Sequence, residues 1–382
     1  MILVASNLDI LIFSALYSPH LGGIERFTEY LANELALMGC RVTVVTNNTE
    51  NLSSLEIVNG VSVFRLPCFP ALSGRMPFPK PNAEYRKLVK QIASHRYDGV
   101  LVNTRFYLHS LLGLRIAKRT SSRAIVLDHG SAHILFGNRL LDPIVAAYEH
   151  LITGVIKVYK PLFYGISAKS AEWLRHFGIN ASGVIGNSID SLQYIGQASN
   201  RAFRQELALR DSDCLVAFIG RLISAKGILE LIEAVETCNR DNVFLAIAGD
   251  GPLKERVLKA KSSKVAYLGR LNSPDVAKLL CDSDVLCLPS RSEGFCTTLL
   301  EASACATASI TTDVGGAREL IPNSEYGIII PDANPATISD AICFAADHAE
   351  ELELMGQNSC LRVRDEYSWR STAVSLLDAF DA

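Results

Sequence analysis

The chain has 382 residues, 49% hydrophobic and 20% charged, with a formal net charge of −3. That is an ordinary globular composition with more apolar side chain than one core usually serves, so two domains are expected. It argues against disorder and a nucleic-acid partner, and the lack of a run of about 18 apolar residues argues against a membrane span.

The opening Met1-Ile2-Leu3-Val4-Ala5-Ser6 is apolar but lacks a basic flank and a cleavage pattern, so no signal peptide is expected. The first strand is read over residues 10–16. It leads into Tyr17-Ser18-Pro19-His20-Leu21-Gly22-Gly23-Ile24-Glu25 and a helix with Phe27, Tyr30, Leu31, Leu35 and Met38 at helical spacing. Residues 41–46 form the next strand. Gly22-Gly23 thus opens a βαβ unit, as a loop approaching phosphate would, although the spacing is not a dinucleotide fingerprint and a plain turn explains it too.

Residues 61–66 read as a strand, followed by a Pro-rich loop with Arg75, Phe78 and Lys80. A helix over 82–95 carries Arg86, Lys87 and Lys90. Beside Met76-Pro77-Phe78, that basic face suits either an anionic membrane surface or plain solvent. Strands follow at 99–102 and 124–127, with a helix over 108–118 between them. The second of these strands ends in Asp128-His129-Gly130-Ser131. His129 at a strand's carboxyl end is a candidate ligand contact or a structural histidine, and His133 is a weaker candidate. A strand at 163–167 and a helix at 168–177 complete this half. The alternation breaks near residue 190.

It restarts with a strand over 214–219 that runs into Gly220-Arg221-Leu222-Ile223-Ser224-Ala225-Lys226-Gly227. Two cations five positions apart at a strand end suit a diphosphate: arginine offers a fork and lysine a point charge. Next come a strand at 243–248 with Gly249-Asp250-Gly251-Pro252, and a strand at 265–269. Ser273 is read as the cap of a helix with Pro274 at its first position.

The strand 285–288 then feeds Pro289-Ser290-Arg291-Ser292-Glu293-Gly294-Phe295-Cys296-Thr297-Thr298-Leu299-Leu300-Glu301-Ala302. The loop leaving such a strand is where ligands bind in an open parallel sheet. Glu293 lies in that loop and Glu301 about one turn into a helix. Plain alternatives stand beside the functional one. Glu293 can be a solvated acid, and Thr298-Leu299-Leu300-Glu301 reads as a capping box. Strands at 309–312 and 327–330, with Asp313-Val314-Gly315-Gly316 between, precede helices at 335–347 and 350–366 and a final amphipathic helix.

Most of the ten cysteines sit in apolar runs and no CxxC occurs, which argues for a reducing cytosol and against zinc or a disulfide framework. Residues 1–190 carry a charge balance of +6 and 191–382 one of −9. The basic first half suggests an anionic partner, though +6 over 190 residues is modest.

Arg221…Lys226, Gly249-Asp250-Gly251-Pro252, Ser290…Glu293-Gly294-Phe295…Glu301 and Asp313-Val314-Gly315-Gly316 occur in order. Together they resemble the family-4 retaining glycosyltransferases of GT-B fold, whose signature is two glutamates separated by seven residues. Gly22-Gly23-Ile24-Glu25, His129-Gly130 and Asn187-Ser188-Ile189-Asp190 extend the resemblance over nearly the whole chain.

The resemblance implies an α/β protein of two Rossmann-like domains facing across a cleft. The acceptor-side domain would span 1–190 and the nucleotide-sugar domain 191–366, with a helix over 367–382 that can cross back to the first. It further implies that Arg221 and Lys226 bind the donor diphosphate and Glu301 the ribose hydroxyls. Glu293 would contact the transferred sugar and His129 the sugar or its phosphate. Backbone at Phe295, Cys296 and Thr297 would add to the phosphate site, as would Gly22 and Gly23. Gly249 belongs to the same donor set, and Arg270 and Leu271 would face the base.

The expected partners are a nucleotide-sugar donor and a glycan or lipid-linked acceptor, with peripheral contact at the inner face of a cell membrane. Neither cofactor nor metal is expected. Asp282-Ser283-Asp284 resembles the metal-binding motif of another transferase class, but it precedes a strand and is read as helix-end acids. Ala306, Ala308, Cys296 and Ser188 depart from the family pattern and bear on backbone geometry rather than charge. A nucleotide-sugar epimerase or phosphorylase, and a non-catalytic protein that binds another transferase, are the alternatives.

Overall fold

The computed structural model describes residues 7–20, 22–71, 74, 76–133, 139, 141–260 and 262–382. The opening stretch Met1–Ser6, Leu21 and Arg75 lie outside the described residues. The chain divides into two compact units, Met1–Asn187 with Trp369–Ala382, and Ser188–Ser368.

In the first unit β1 (Asp9–Phe13), α1 (Gly23–Leu37) and β2 (Arg41–Asn48) form the opening βαβ unit. Next come β3 (Leu55–Val58), β4 (Val61–Ala71), β5 (Met76–Pro79), α2 (Ala83–Ala93), β6 (Gly99–Asn103), α3 (Leu108–Thr120) and β7 (Arg123–Asp128). The rest is α4 (Leu141–Lys157), β8 (Leu162–Gly165), α5 (Ala168–Trp173) and β9 (Gly183–Val184). The main path of the sheet runs β3-β4-β2-β1-β6-β7-β8-β9, and β5 pairs with β4. The central strands are continuous apolar runs because helices cover both faces of a parallel sheet. Ile10, Leu11, Ile12, Val100, Leu101 and Val102 are fully buried.

Three details differ from the sequence reading. The Pro-rich stretch is a hairpin: β4 and β5 pair antiparallel, with Phe69 opposite Phe78. Proline survives there because an outer strand can leave its nitrogen without a ladder bond. β3 likewise pairs antiparallel with β4. The helix read over 168–177 is α5 followed by a 3-10 turn, Leu174–Phe177, which Gly178 closes in the left-handed region at φ 64°.

The second unit begins with α6 (Ser191–Gly196) and α7 (Phe203–Glu206). Strand and helix then alternate through β10 (Cys214–Ile219), α8 (Ile228–Thr237), β11 (Val243–Ala248), α9 (Lys254–Lys259), β12 (Val265–Gly269), α10 (Ser273–Asp282) and β13 (Val285–Leu288). The unit closes with α11 (Thr297–Ala304), β14 (Ala308–Thr312), α12 (Ala317–Leu320), β15 (Ile328–Ile330), α13 (Pro335–Asp347) and α14 (Ala349–Glu366). Its sheet runs β12-β11-β10-β13-β14-β15, and every pair in it is parallel. The cap of α10 is Asn272, whose side chain accepts from Asp275 N at 2.8 Å; Ser273 is already inside the helix.

α15 (Trp369–Asp381) belongs to the first unit. Trp369 stacks on Tyr30 at 5.2 Å and meets Phe27 edge-on at 5.7 Å. Arg123 Nη1 donates to Phe380 O at 2.6 Å. No helix among the described residues is long and apolar enough to cross a membrane.

Candidate functional site

In each sheet the strand order reverses once beside the first strand of the unit: between β1 and β6, and between β10 and β13. Loops leaving two adjacent strands part in opposite directions there and open a crevice at the carboxyl edge.

In the second unit the loops leaving β10 and β13 meet at this point. Lys226 Nζ forms an ion pair with Glu293 Oε1. Ser290 Oγ donates to the same carboxylate oxygen at 2.8 Å. The Lys226 and Glu293 side chains are 19% and 12% exposed, so water weakens the pair only partly. Burial works against the lysine's charge, but the Cys296 thiol and the Glu293 carboxylate more than offset it, and the ammonium is held above its usual range. Arg221, exposed on the same loop, makes no ion pair among the described residues, and its charge acts on Lys226. Lys226 thus has a carboxylate partner and Arg221 has none among the described residues, which leaves a surplus of positive charge for an anion.

The backbone holds this arrangement tightly. Arg291 N donates to Ala225 O and Arg291 Nη1 to Ser224 O, both at 2.8 Å, which ties the β13 loop to the β10 loop. Thr312 Oγ1 donates to Ser290 O from the end of β14. Gly227 sits at φ 68° with Pro289 O where a Cβ would stand. Gly315, at φ 53°, would place a Cβ 3.0 Å from Glu293 Cβ. Gly249 ends β11 at φ 152° against Gly220 O. Glycine is required at these three positions by both conformation and contact.

Phe295 lies against Gly316, and Cys296 is buried as the residue before α11. Burial pushes its thiol up to about 12. Thr297 is exposed at the first position of α11. No side chain caps α11, and Thr298 lies within the helix. The capping box read around Glu301 is therefore absent, because the helix starts two residues too early for it. Glu301 sits one turn in, partly exposed. Arg270 is exposed and Leu271 partly buried after β12, two strands from β10.

The acids of Asp282-Ser283-Asp284 have structural partners. Asp282 accepts from Phe203 N at 2.9 Å and pairs with Lys278 at 2.5 Å. Asp284 accepts from Leu215 N at 2.6 Å and pairs with Arg204 at 3.0 Å.

In the first unit His129 follows β7. Its Nε2 lies 3.1 Å from Asn103 Oδ1, and Asn103 Nδ2 donates to Thr28 Oγ1 at 2.8 Å. With its amide nitrogen donating to Thr28, Asn103 offers oxygen to the ring. His129 thus carries its proton on Nε2 and a lone pair on Nδ1. Phe27 packs edge-on against the ring at 5.0 Å. Burial lowers the imidazole to about 3, so it is neutral at pH 7. Gly22 is the residue before α1, extended at φ −161° and crowded by Glu25, whereas a Cβ on Gly23 would meet nothing within 4 Å. No packing among the described residues explains a glycine at 23.

Sequence reasoning missed Asn103, and it named Ser290 only as part of a motif, with no role. Each is the polar residue at or just past the end of an apolar strand, which is the signal that would have found them.

Residues 199–361 match the family described as Glycosyl transferases group 1, and residues 21–191 match Glycosyltransferase Family 4. A putative teichuronic acid biosynthesis glycosyltransferase of Bacillus subtilis, TuaC, is 28% identical over 75% of this chain and 72% of its own. One component of the phosphatidylinositol N-acetylglucosaminyltransferase of Arabidopsis thaliana is 24% identical over 96% of this chain and 80% of its own. Among solved structures, HepE of Anabaena in complex with UDP superposes with a TM-score of 0.73 at 17% identity, covering 98% of this chain and 99% of that one.

Proposed function

The chain belongs to the group 1, family-4 glycosyltransferases and has the GT-B fold, and on that premise we propose that it moves a sugar from a nucleotide-sugar donor to a glycan or lipid-linked acceptor with retention of anomeric configuration. One observation carries the reading: the Lys226–Glu293 pair, with Arg221 beside it, at the strand-order reversal of the second sheet.

The chemistry follows from where charge develops. The bond between the anomeric carbon and the diphosphate oxygen breaks, and a bond from the acceptor hydroxyl oxygen to that carbon forms. Negative charge gathers on the leaving diphosphate, where Arg221 and Lys226 stabilise it without a metal. The acceptor's proton passes to a diphosphate oxygen on the face the leaving group departs from, which retains configuration. Glu293 orients the sugar's hydroxyls and steadies Lys226 rather than forming a covalent bond. Glu301 takes the ribose, and backbone amides at Phe295, Cys296 and Thr297 face the phosphates at a helix start. Arg270 and Leu271, two strand spacings or about 10 Å away, are the residues assigned to the base.

The first unit takes the acceptor, and Gly22, Gly23 and His129 are its candidate contacts. Its similarity to TuaC supports a cell-surface polysaccharide, and that to the phosphatidylinositol enzyme supports a lipid acceptor. The exposed pair Phe69 and Phe78, with Lys80 over the Phe69 ring at 5.6 Å, supports peripheral contact with an anionic membrane. So do Arg86, Lys87 and Lys90, all exposed on α2.

A thermal-shift screen with UDP-, GDP-, ADP- and TDP-sugars tests the donor. Binding at a hundredfold excess over Kd stabilises by about 2.7 kcal/mol, a readable shift. NMR of the product then reads the anomeric configuration. No stabilisation by any nucleotide sugar, or an inverted product, would overturn the proposal.

A further inference from the structure

Apart from the donor-side residues, the first unit gathers three histidines from three elements. His133 lies in the loop after β7, His150 on α4, and His176 in the 3-10 turn before Gly178. Their ligating nitrogens all lie within 4.8 Å of one another. His133 Nε2 and His176 Nε2 stand 3.1 Å apart. The His133 and His150 rings are 5.7 Å apart and those of His150 and His176 5.0 Å.

The surroundings favour lone pairs pointing inward. His133 Nδ1 is 3.3 Å from Glu149 Oε2, and Glu149 is only 2% exposed. Glu149 is held in turn by Arg105 at 3.3 Å. A proton on Nδ1 would face that carboxylate and leave Nε2 as an acceptor, 3.1 Å from the nitrogen of His176. With both Nε2 atoms unprotonated, their lone pairs converge where a cation can sit; without one, either ring can donate to the other. A carboxylate behind a ligating histidine is the usual outer partner of a bound metal. Trp173 stacks on His176 at 4.6 Å, and Phe177 meets the rings of His133, His150 and His176, giving the group an apolar wall.

We infer that His133, His150 and His176 form a binding site for a divalent transition metal, zinc being the best match, with Glu149 orienting His133. Three neutral imidazoles suit zinc and leave a fourth, open position. Tetrahedral ligands at 2.0–2.1 Å from zinc stand about 3.3–3.4 Å apart. The 3.1 Å pair is already near that spacing. His150 and His176 are exposed and free to rotate in, whereas His133 is anchored. The ion ties the loop that carries His129 to α4 and to the turn after α5. The sequence hides this site, because ligands 17 and 26 positions apart form no recognisable spacing.

The test uses the full chain with any polyhistidine tag removed. Zinc chloride is titrated by calorimetry, and native mass spectrometry counts the ions. One zinc per chain at micromolar or tighter Kd, removed by EDTA, is expected. His150→Gln, at an exposed position that the fold does not need, weakens binding at least tenfold. Cobalt in place of zinc gives visible bands without a thiolate charge-transfer band. The absence of saturable zinc binding in the micromolar range overturns the site. So does binding that is unchanged in both His150→Gln and His133→Gln, since the metal would then sit on cysteine thiols such as the exposed Cys281.

Discussion

Lys226 and Glu293 stand 67 residues apart in sequence, yet their side chains pair directly where the second sheet reverses its strand order. The pair joins the loops of β10 and β13, so a donor phosphate arriving at Lys226 must share it with Glu293. Lys226→Ala is expected to weaken nucleoside diphosphate at least tenfold, about 1.4 kcal/mol, and to leave the bare nucleoside unaffected. It also removes a partner from a nearly buried carboxylate, so the ligand-free protein loses about 1–3 kcal/mol. Glu293→Gln keeps the Ser290 contact and is expected to lower kcat with little change in diphosphate affinity. Calorimetry and initial rates check both; equal loss of nucleoside and diphosphate binding would count against a phosphate role for Lys226.

Glu301 has no capping task at the start of α11, because Thr298 is already helical and no side chain caps the helix. Loss of a cap would cost about 0.5–2 kcal/mol, and Glu301→Gln is expected to cost α11 less than that. The ribose role predicts a second result. The wild type prefers a ribonucleotide to its 2′,3′-dideoxy analogue, and Glu301→Ala removes that preference. A preference that survives in the variant removes ribose binding from Glu301.

Two glycines separate structural need from ligand approach. Gly249 sits at φ 152° with Gly220 O in the place of a Cβ. Gly249→Ala is expected to cost more than about 3 kcal/mol, read as a lower urea midpoint for the second unit. Gly23 faces open space, so Gly23→Ala is expected to be neutral or slightly stabilising in α1. If Gly23 serves donor or acceptor phosphate, the same variant loses turnover while keeping its Tm. Full turnover in Gly23→Ala would place the phosphates elsewhere.

What was legible in the sequence was local. Runs such as Val285-Leu286-Cys287-Leu288 announce buried parallel strands, and the alternation of strand and helix announces the two-sheet α/β architecture. α4 went unread because its apolar residues do not keep to one face. Ile144 and Leu151 are 64% and 70% exposed while Ile152 and Ile156 are buried, so the periodic signal cancels. β5 was hidden by its prolines, and the cap of α10 by two adjacent capping residues, Asn272 and Ser273. Long-range pairings lie beyond any window. The Lys226–Glu293 pair, the Asn103–His129 contact and the three converging histidines depend on strand order, which a linear reading of the chain does not supply.

Acid should loosen the first unit through its histidines. His109 is buried against Phe13 with Nε2 2.9 Å from Val45 O, and burial lowers its imidazole to about 4. Burial lowers His129 to about 3. Below pH 6.5 the unfolded chain takes up these protons and the native state does not, so stability falls from pH 6.5 down towards about 3. At pH 5 each histidine costs about 2 kcal/mol relative to pH 7. Asp128 works the other way. Burial, aided by Glu149 and opposed by Arg105, raises its carboxyl to about 6. It therefore takes its proton in the native state first and recovers about 1.4 kcal/mol at pH 5. The two histidines outweigh it, and a net loss of about 2–3 kcal/mol is expected between pH 7 and pH 5. His129→Gln, which cannot titrate, should cut that loss to roughly 0.5 kcal/mol. Urea melts at the two pH values, followed by the fluorescence of Trp173 and Trp369 in the first unit, measure both differences. An equal loss in wild type and variant would show that His129 is not held neutral by the fold.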